Sequence, residues 1–279
     1  MNVLTVNCED NQAPRYFCQS MRNTGFGVLE NHPISLELVH DVYEEWRLFF
    51  ADESRKQATL YHRETQDGFF PSSISEIAKG AEIKDIKEYY QYYPWGQYPS
   101  QISDKTKQLY QQLTQFASTI LGWLEQYLPT DMAGQLSMPL SDMITDSQQT
   151  MLRILHYPPL SGNEPKGAVR AAAHEDINLI TLLVGATQSG LQVKDIDGKW
   201  HNVPGSHRSI IVNVGDMLDL ATQGYYRSTT HRVINPDKGE NKSRLSMPLF
   251  LHPRPEVPLS PEKTAKQYLV ERLTELGVL

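Results

Sequence analysis

Apolar positions recur at two different periods along this chain, and the period changes near residue 150. Before that point Val39, Val42, Trp46 and Phe49 repeat at the spacing of a helix with one buried side, as do Leu109, Leu113, Phe116, Ile120, Leu124 and Tyr127. Ser35 precedes the first run, where a hydroxyl can accept from an unpaired amide of the first turn. From Met151 to about His252 the segments shorten and fill with Val, Ile, Leu and Thr: MLRILHY, INLITLLV, LQVKD, SIIVNV, STTHRVI and SRLSMPLFLH. Runs this short, bounded by turn residues, predict strands. DIDG before Lys199 predicts a hairpin turn, because Asp and Gly tolerate the positive φ that tight turns need. The spacing predicts a mainly β fold, an antiparallel sandwich or barrel with flanking α-helices. Ser260, Pro261 and Glu262 predict the start of a last helix with Ala265, Leu269, Leu273 and Leu276 on one side. No repeat and no Gly/Ser-rich or Pro-rich linker divides the chain, so residues 1–279 read as a single domain. Within it, 1–150 is expected to be mostly helical, 151–252 the β core and 253–279 a helical segment.

One strand breaks the apolar pattern. AAAHEDINLITLLV, residues 171–184, opens with a histidine and two acids where a buried strand should be apolar. Buried charge is costly unless it is paired or holds a metal. On a strand, positions i and i+2 share a face, so His174 and Asp176 are expected to project together and Glu175 away. His231, a polar residue inside STTHRVI, is the best third partner. Two imidazoles and one carboxylate suit Fe(II) and leave positions open for oxygen and a substrate. Taken singly, each residue has a plainer reading: a strand-end histidine commonly bonds a backbone carbonyl, and seven other histidines are available at 32, 40, 62, 156, 201, 207 and 252. SRLSMPLFLH adds weight. Leu245, Met247, Leu249 and Leu251 alternate with Arg244, Ser246 and Phe250, which puts a guanidinium and a hydroxyl on one face as a carboxylate clamp. The plainer alternative is an edge-strand arginine in solvent.

Composition narrows the partners. The chain is 39% hydrophobic and 21% charged with a net charge of -7, an ordinary globular balance that argues against nucleic acid or an anionic membrane as the main partner. Only Cys8 and Cys18 are present, so neither a disulfide framework nor a Cys-rich zinc site is available. MNVLTVNCED carries no basic stretch leading into a long apolar run, and no segment approaches the roughly 20 apolar residues of a membrane span. The expected location is the cytoplasm and the expected partner a small molecule.

Together these stretches resemble the 2-oxoglutarate/Fe(II)-dependent dioxygenase superfamily, in its isopenicillin N synthase-like branch. TGFGVLENHPI (Thr24 to Ile34) is similar to that branch's G-F-x-x-x-x-N-H-x-I stretch, and GFFP and DIKEYY resemble its substrate side. LRILHYPPL resembles its N-x-Y-x-P strand, and HEDINLITLLV with GLQV, IVNVGDMLDLATQGYYRSTTHRV and SRLSMPLFL resemble its metal and cosubstrate core. The resemblance implies a double-stranded β-helix, or jelly-roll, with iron inside one end. It implies His174, Asp176 and His231 as iron ligands, and Arg244, Ser246 and Tyr157 as the residues that reach the cosubstrate carboxylate. The implied cofactors are Fe(II), 2-oxoglutarate and O2, with ascorbate as an auxiliary reductant. The implied activity couples decarboxylation of 2-oxoglutarate to hydroxylation or desaturation of a small organic substrate.

Two departures keep alternatives open. Leu155 stands where many plant members have Asn, and HED is also the form of an isopenicillin N synthase-like oxidase, whose Arg-x-Ser pair holds a substrate carboxylate without 2-oxoglutarate. A non-catalytic jelly-roll that keeps the site as a ligand pocket is the third reading. Tyr89, Tyr90, Tyr92, Tyr93 and Trp95 in KEYYQYYPW either line the substrate pocket or pack on the sheet. The sequence leaves the oligomeric state open.

Overall fold

The computed structural model describes residues 1–74, 83–236, 241–275 and 277. The first half of the chain runs β1 (Thr5–Asn7), α1 (Ala13–Thr24), β2 (Phe26–Glu30), α2 (Leu36–Phe50), α3 (Glu53–Ala58), β3 (Gly68–Phe70), β4 (Glu88–Tyr92), α4 (Lys105–Gln126), α5 (Thr130–Ala133) and α6 (Leu140–Met143). The second half runs β5 (Met151–Tyr157), β6 (Ala171–His174), β7 (Ile180–Val184), β8 (Leu191–Lys194), β9 (Trp200–Asn202), β10 (Ile210–Val214), α7 (Asp216–Ala221), β11 (His231–Val233) and β12 (Arg244–Leu251). It closes with β13 (Pro258–Ser260), β14 (Lys263–Thr264) and α8 (Ala265–Glu275).

Among the described residues an eight-stranded sheet has the order β1-β2-β10-β7-β12-β5-β4-β3, and a four-stranded sheet has β6-β11-β8-β9. Together they form the jelly-roll, with the expected flanking helices. The predicted helix signals hold. Ser35 accepts from the Leu38 amide to start α2, whose Val39, Val42, Trp46 and Phe49 are buried. In α4 Leu109, Leu113, Phe116, Ile120 and Leu124 are buried, whereas Tyr127 lies just past the helix end and is 37% exposed. These faces cover one side of the large sheet, and Trp46 donates from Nε1 to Thr106 Oγ1 at 2.9 Å to tie α2 to α4. Truncating so large a buried side chain costs about 3–5 kcal/mol.

Several boundaries differ from the expectation. Residues 1–150 supply four strands to the large sheet besides their helices, so the β core is not confined to 151–252. AAAHEDINLITLLV is two strands in two different sheets, β6 and β7, with a turn between them. The C-terminal helix begins at Ala265 rather than Ser260, because residues 258–264 form a small hairpin. Thr264 Oγ1 accepts from the Gln267 amide there and takes the capping role. Ala265 is buried, Leu269 and Leu273 are half-buried, and Leu276 lies outside the described residues. The DIDG turn is as expected: Gly198 has φ +81°, and Asp195 Oδ1 accepts from the amides of Asp197 and Lys199 between β8 and β9.

Candidate active site

His174 ends β6 and His231 opens β11, and the two face each other across an antiparallel pair. Asp176 lies two residues beyond β6, in the turn, so the shared-face argument for a continuous strand is replaced by a loop geometry. That loop is pinned by three backbone bonds, from Asp216 N to Asp176 O at 2.7 Å, Gly215 N to Leu179 O at 2.9 Å and Met217 N to Asn178 O at 3.1 Å. Gly215 permits the approach, since a Cβ there would run into the Asn178 carbonyl. Gly25, at φ +70°, ends α1 and leaves room for Thr229, two residues before His231. Glu175 does turn away, accepting from Thr230 Oγ1 at 2.8 Å.

Each ligand candidate has its outer atom tied. The Nδ1 atoms of His174 and His231 donate to the carbonyls of Ala172 at 2.8 Å and Thr229 at 3.1 Å. A proton on Nδ1 leaves the Nε2 lone pair free for a metal. Asp176 Oδ2 accepts from Thr181 Oγ1 at 2.5 Å and Asn213 Nδ2 at 2.8 Å. Asn178 Nδ2 in turn donates to Thr181 Oγ1 at 2.9 Å. The remaining atoms converge: Asp176 Oδ1 is 3.7 Å from His174 Nε2 and 3.8 Å from His231 Nε2, beyond hydrogen-bonding reach. All three ligand atoms lie within 4.8 Å of one another. Phe26 packs edge-on against His231 at 5.5 Å, in the same cross-sheet row as Asn213 and Thr181.

The electrostatics agree. Burial, then the neighbouring His231, push the His174 imidazole down to about 4, so it is neutral near pH 7, the form a metal binds. For Asp176 burial opposes ionisation, but attraction to His231 and His174 and the bonds from Asn213 and Thr181 outweigh it and hold the carboxyl below its ordinary value.

The second cluster is on β12 and β5. Arg244 pairs with Tyr157 and Ser246 with Leu155, while Leu245, Met247, Leu249 and Leu251 enter the main core on the other face. Arg244 is no edge-strand arginine, for it is 2% exposed. Its Nε donates to the Gln188 carbonyl at 3.1 Å, its guanidinium carbon lies 5.1 Å from the Tyr157 ring centre, and its Nη1 has no partner among the described residues. Of the five aromatics in KEYYQYYPW, Tyr89 stacks on Phe70 beside Leu155 and Tyr157, Tyr90 and Tyr92 join the main core, and Tyr93 stacks on Trp95 at the surface.

Sequence reasoning missed Thr181, Asn213, Arg170 and the buried pair Lys87–Asp85, joined at 2.7 Å. Asn213 carried a signal, a lone amide in the apolar run SIIVNV. Arg170, in VRAAAH, carried none, because nothing in that stretch sets a period.

Residues 148–253 match the family model described as the 2OG-Fe(II) oxygenase superfamily, and residues 8–115 match the model for the N-terminal part of non-haem dioxygenases in morphine synthesis. A solved Shewanella oneidensis protein assigned as an oxygenase is 50% identical with a TM-score of 0.91, all of both chains being covered. A Caulobacter crescentus protein of the 2OG-Fe(II) oxygenase family is 28% identical with a TM-score of 0.81, over 98% of this chain and 99% of that one. A bifunctional coumaroyl-CoA and feruloyl-CoA ortho-hydroxylase of Ipomoea batatas is 28% identical over 266 residues, 89% of this chain and 69% of the relative.

Proposed function

The chain belongs to the 2-oxoglutarate/Fe(II)-dependent oxygenase superfamily, and from that premise we propose that His174, Asp176 and His231 hold its iron while Arg244, Ser246 and Tyr157 receive the distal carboxylate of 2-oxoglutarate. The single observation that carries the reading is the convergence of two Nε2 atoms and one carboxylate oxygen, every outward atom of which is already bonded. Bound there, Fe(II) supplies the redox centre at which O2 oxidises 2-oxoglutarate to succinate and CO2 and a small organic molecule is hydroxylated or desaturated.

The chain's own residues do the positioning. The carbonyls of Ala172 and Thr229 fix both imidazole tautomers, and Thr181 and Asn213 fix which carboxylate oxygen faces inward. Arg244, buried and short of a partner, orients an anionic group against Tyr157. Phe70, Tyr89 and Leu155 pack with Tyr157 in one apolar cluster and so supply a dry surface at the arginine end of the site. The net charge of -7 supports a small-molecule partner over nucleic acid, and an organic substrate accords with the hydroxylase relative. No helix among the described residues is long and apolar enough to cross a membrane. The two unpaired thiols, Cys8 and Cys18, support a cytoplasmic location.

The test is succinate release from 2-oxoglutarate by the purified protein with Fe(II), ascorbate and O2. It is expected in the wild type and absent in His174→Ala; undiminished release from His174→Ala would refute the ligand assignment. Substrate oxidation with no 2-oxoglutarate consumed would favour the oxidase that draws all its electrons from the substrate.

A further inference from the structure

Arg170 precedes β6 by one residue and is 1% exposed, as deeply buried as Arg244. Its Nη2 donates to the Lys242 carbonyl at 2.5 Å, while its Nε has no partner among the described residues. Its guanidinium carbon lies 6.0 Å from the Tyr157 ring centre, the ring that Arg244 also approaches. Among the described residues neither guanidinium has a carboxylate partner, and each keeps a buried N–H that bonds to nothing. Burial weakens the hold of Arg170 on its proton, and the adjacent charge of Arg244 weakens it further.

Two buried like charges that approach one ring, close enough for each to act on the other, are costly twice over, once for lost hydration and once for mutual repulsion. Backbone carbonyls offset part of the first cost and none of the second. An anion between the two forks offsets both, and supplies acceptors for the orphaned N–H groups.

We propose that Arg170 and Arg244 form a two-guanidinium receptor for the distal carboxylate of 2-oxoglutarate, with Arg170 as the residue that makes the site prefer a dicarboxylate to a monocarboxylic 2-oxo acid. The inference rests on the cosubstrate reading above. It adds a second cation to the pair that the Arg-x-Ser pattern marks. A single carboxylate then accepts from two forks, and the ligand binds more tightly than one arginine and one hydroxyl would allow.

The experiment is an anaerobic calorimetric titration of the Fe(II)-loaded protein with 2-oxoglutarate and, separately, with 2-oxopentanoate, which has a methyl group in place of the distal carboxylate. Arg170→Met should weaken 2-oxoglutarate binding by roughly 10- to 100-fold, the range for loss of a charge-assisted bond, and leave 2-oxopentanoate unchanged. Arg170→Lys, which keeps the charge and loses the fork, should also lose affinity for 2-oxoglutarate alone, and it carries the test if the methionine variant does not fold. Equal weakening of both ligands would mean that Arg170 only shapes the site and would overturn the proposal. Unchanged 2-oxoglutarate binding in Arg170→Met alongside a loss in Arg244→Met overturns the proposal and leaves the cosubstrate reading standing. Unchanged binding in both variants overturns the two together.

Discussion

At the histidine end of the site the outward atoms of His174, His231 and Asp176 are all bonded, whereas at the arginine end, among the described residues, Arg170 Nε and Arg244 Nη1 have no partner. The carboxylate of Asp176 is compensated by Thr181, Asn213 and two imidazoles before any ligand arrives. Among the described residues Arg170 and Arg244 have only neutral partners, the carbonyls of Lys242 and Gln188 and the ring of Tyr157. The difference teaches that one end is built as a rigid socket, while the other stores an electrostatic deficit that a ligand removes. A rigid socket suits a resident ion, and a deficit suits a ligand that is bound and replaced at every turnover.

The comparison can be broken most severely at the socket. Asp176→Asn should reduce 2-oxoglutarate-dependent succinate formation to background, because an amide replaces the one anionic ligand; retained turnover in a stopped assay of succinate would contradict the assignment. Next in size, Thr181→Val and Asn213→Ala should each weaken Fe(II) binding by about 10- to 100-fold, the usual effect of removing a ligand's supporting bond, as read by competition with a chelator. Binding of 2-oxoglutarate to the metal-loaded variants should change far less, because their contacts are all at the histidine end. Arg244→Met should raise the 2-oxoglutarate dissociation constant by roughly 10-fold or more in calorimetry. The same variant in ligand-free form should melt no lower than the wild type, since it deletes a buried charge that has no carboxylate partner among the described residues.

The smallest effect is a pH slope. Burial holds His252, like His174, at about 4, against about 6.5 for histidine in an unfolded chain. As pH falls through that window the unfolded chain binds protons that the folded protein resists. Stability of the metal-free protein should therefore decline from about pH 6.5 to about pH 4 and level off below. His252→Gln should flatten part of that decline in urea melts at a series of pH values.

Much of this site was legible because it obeys period two. Arg244 and Ser246 alternate with four core residues, and that alternation alone put them on one face. His231 stood out as a polar residue in an apolar strand. What period could not show is where a strand stops. His174 closes one strand and Ile180 opens another in a different sheet, and the turn that carries Asp176 is held by Gly215 and its neighbours, about 40 residues later in the chain. The resemblance supplied the ligand set without supplying that loop. Arg170 was invisible for a related reason: its significance depends on Arg244 and Tyr157, which reach it only after the two sheets close on each other. The aromatic segment split three ways because its tyrosines alternate between the Tyr157 side and the helix side of β4, and Tyr93 lies past the strand's end.

The most direct test is an anaerobic titration of the Fe(II)-loaded protein with 2-oxoglutarate, followed in the visible spectrum for the charge-transfer band of a metal-chelated 2-oxo acid. A saturable band is predicted in the wild type, displaced to higher 2-oxoglutarate concentration in Arg244→Met and absent in His231→Ala. Stoichiometric Fe(II) binding by the wild type with no band at any 2-oxoglutarate concentration would contradict the account.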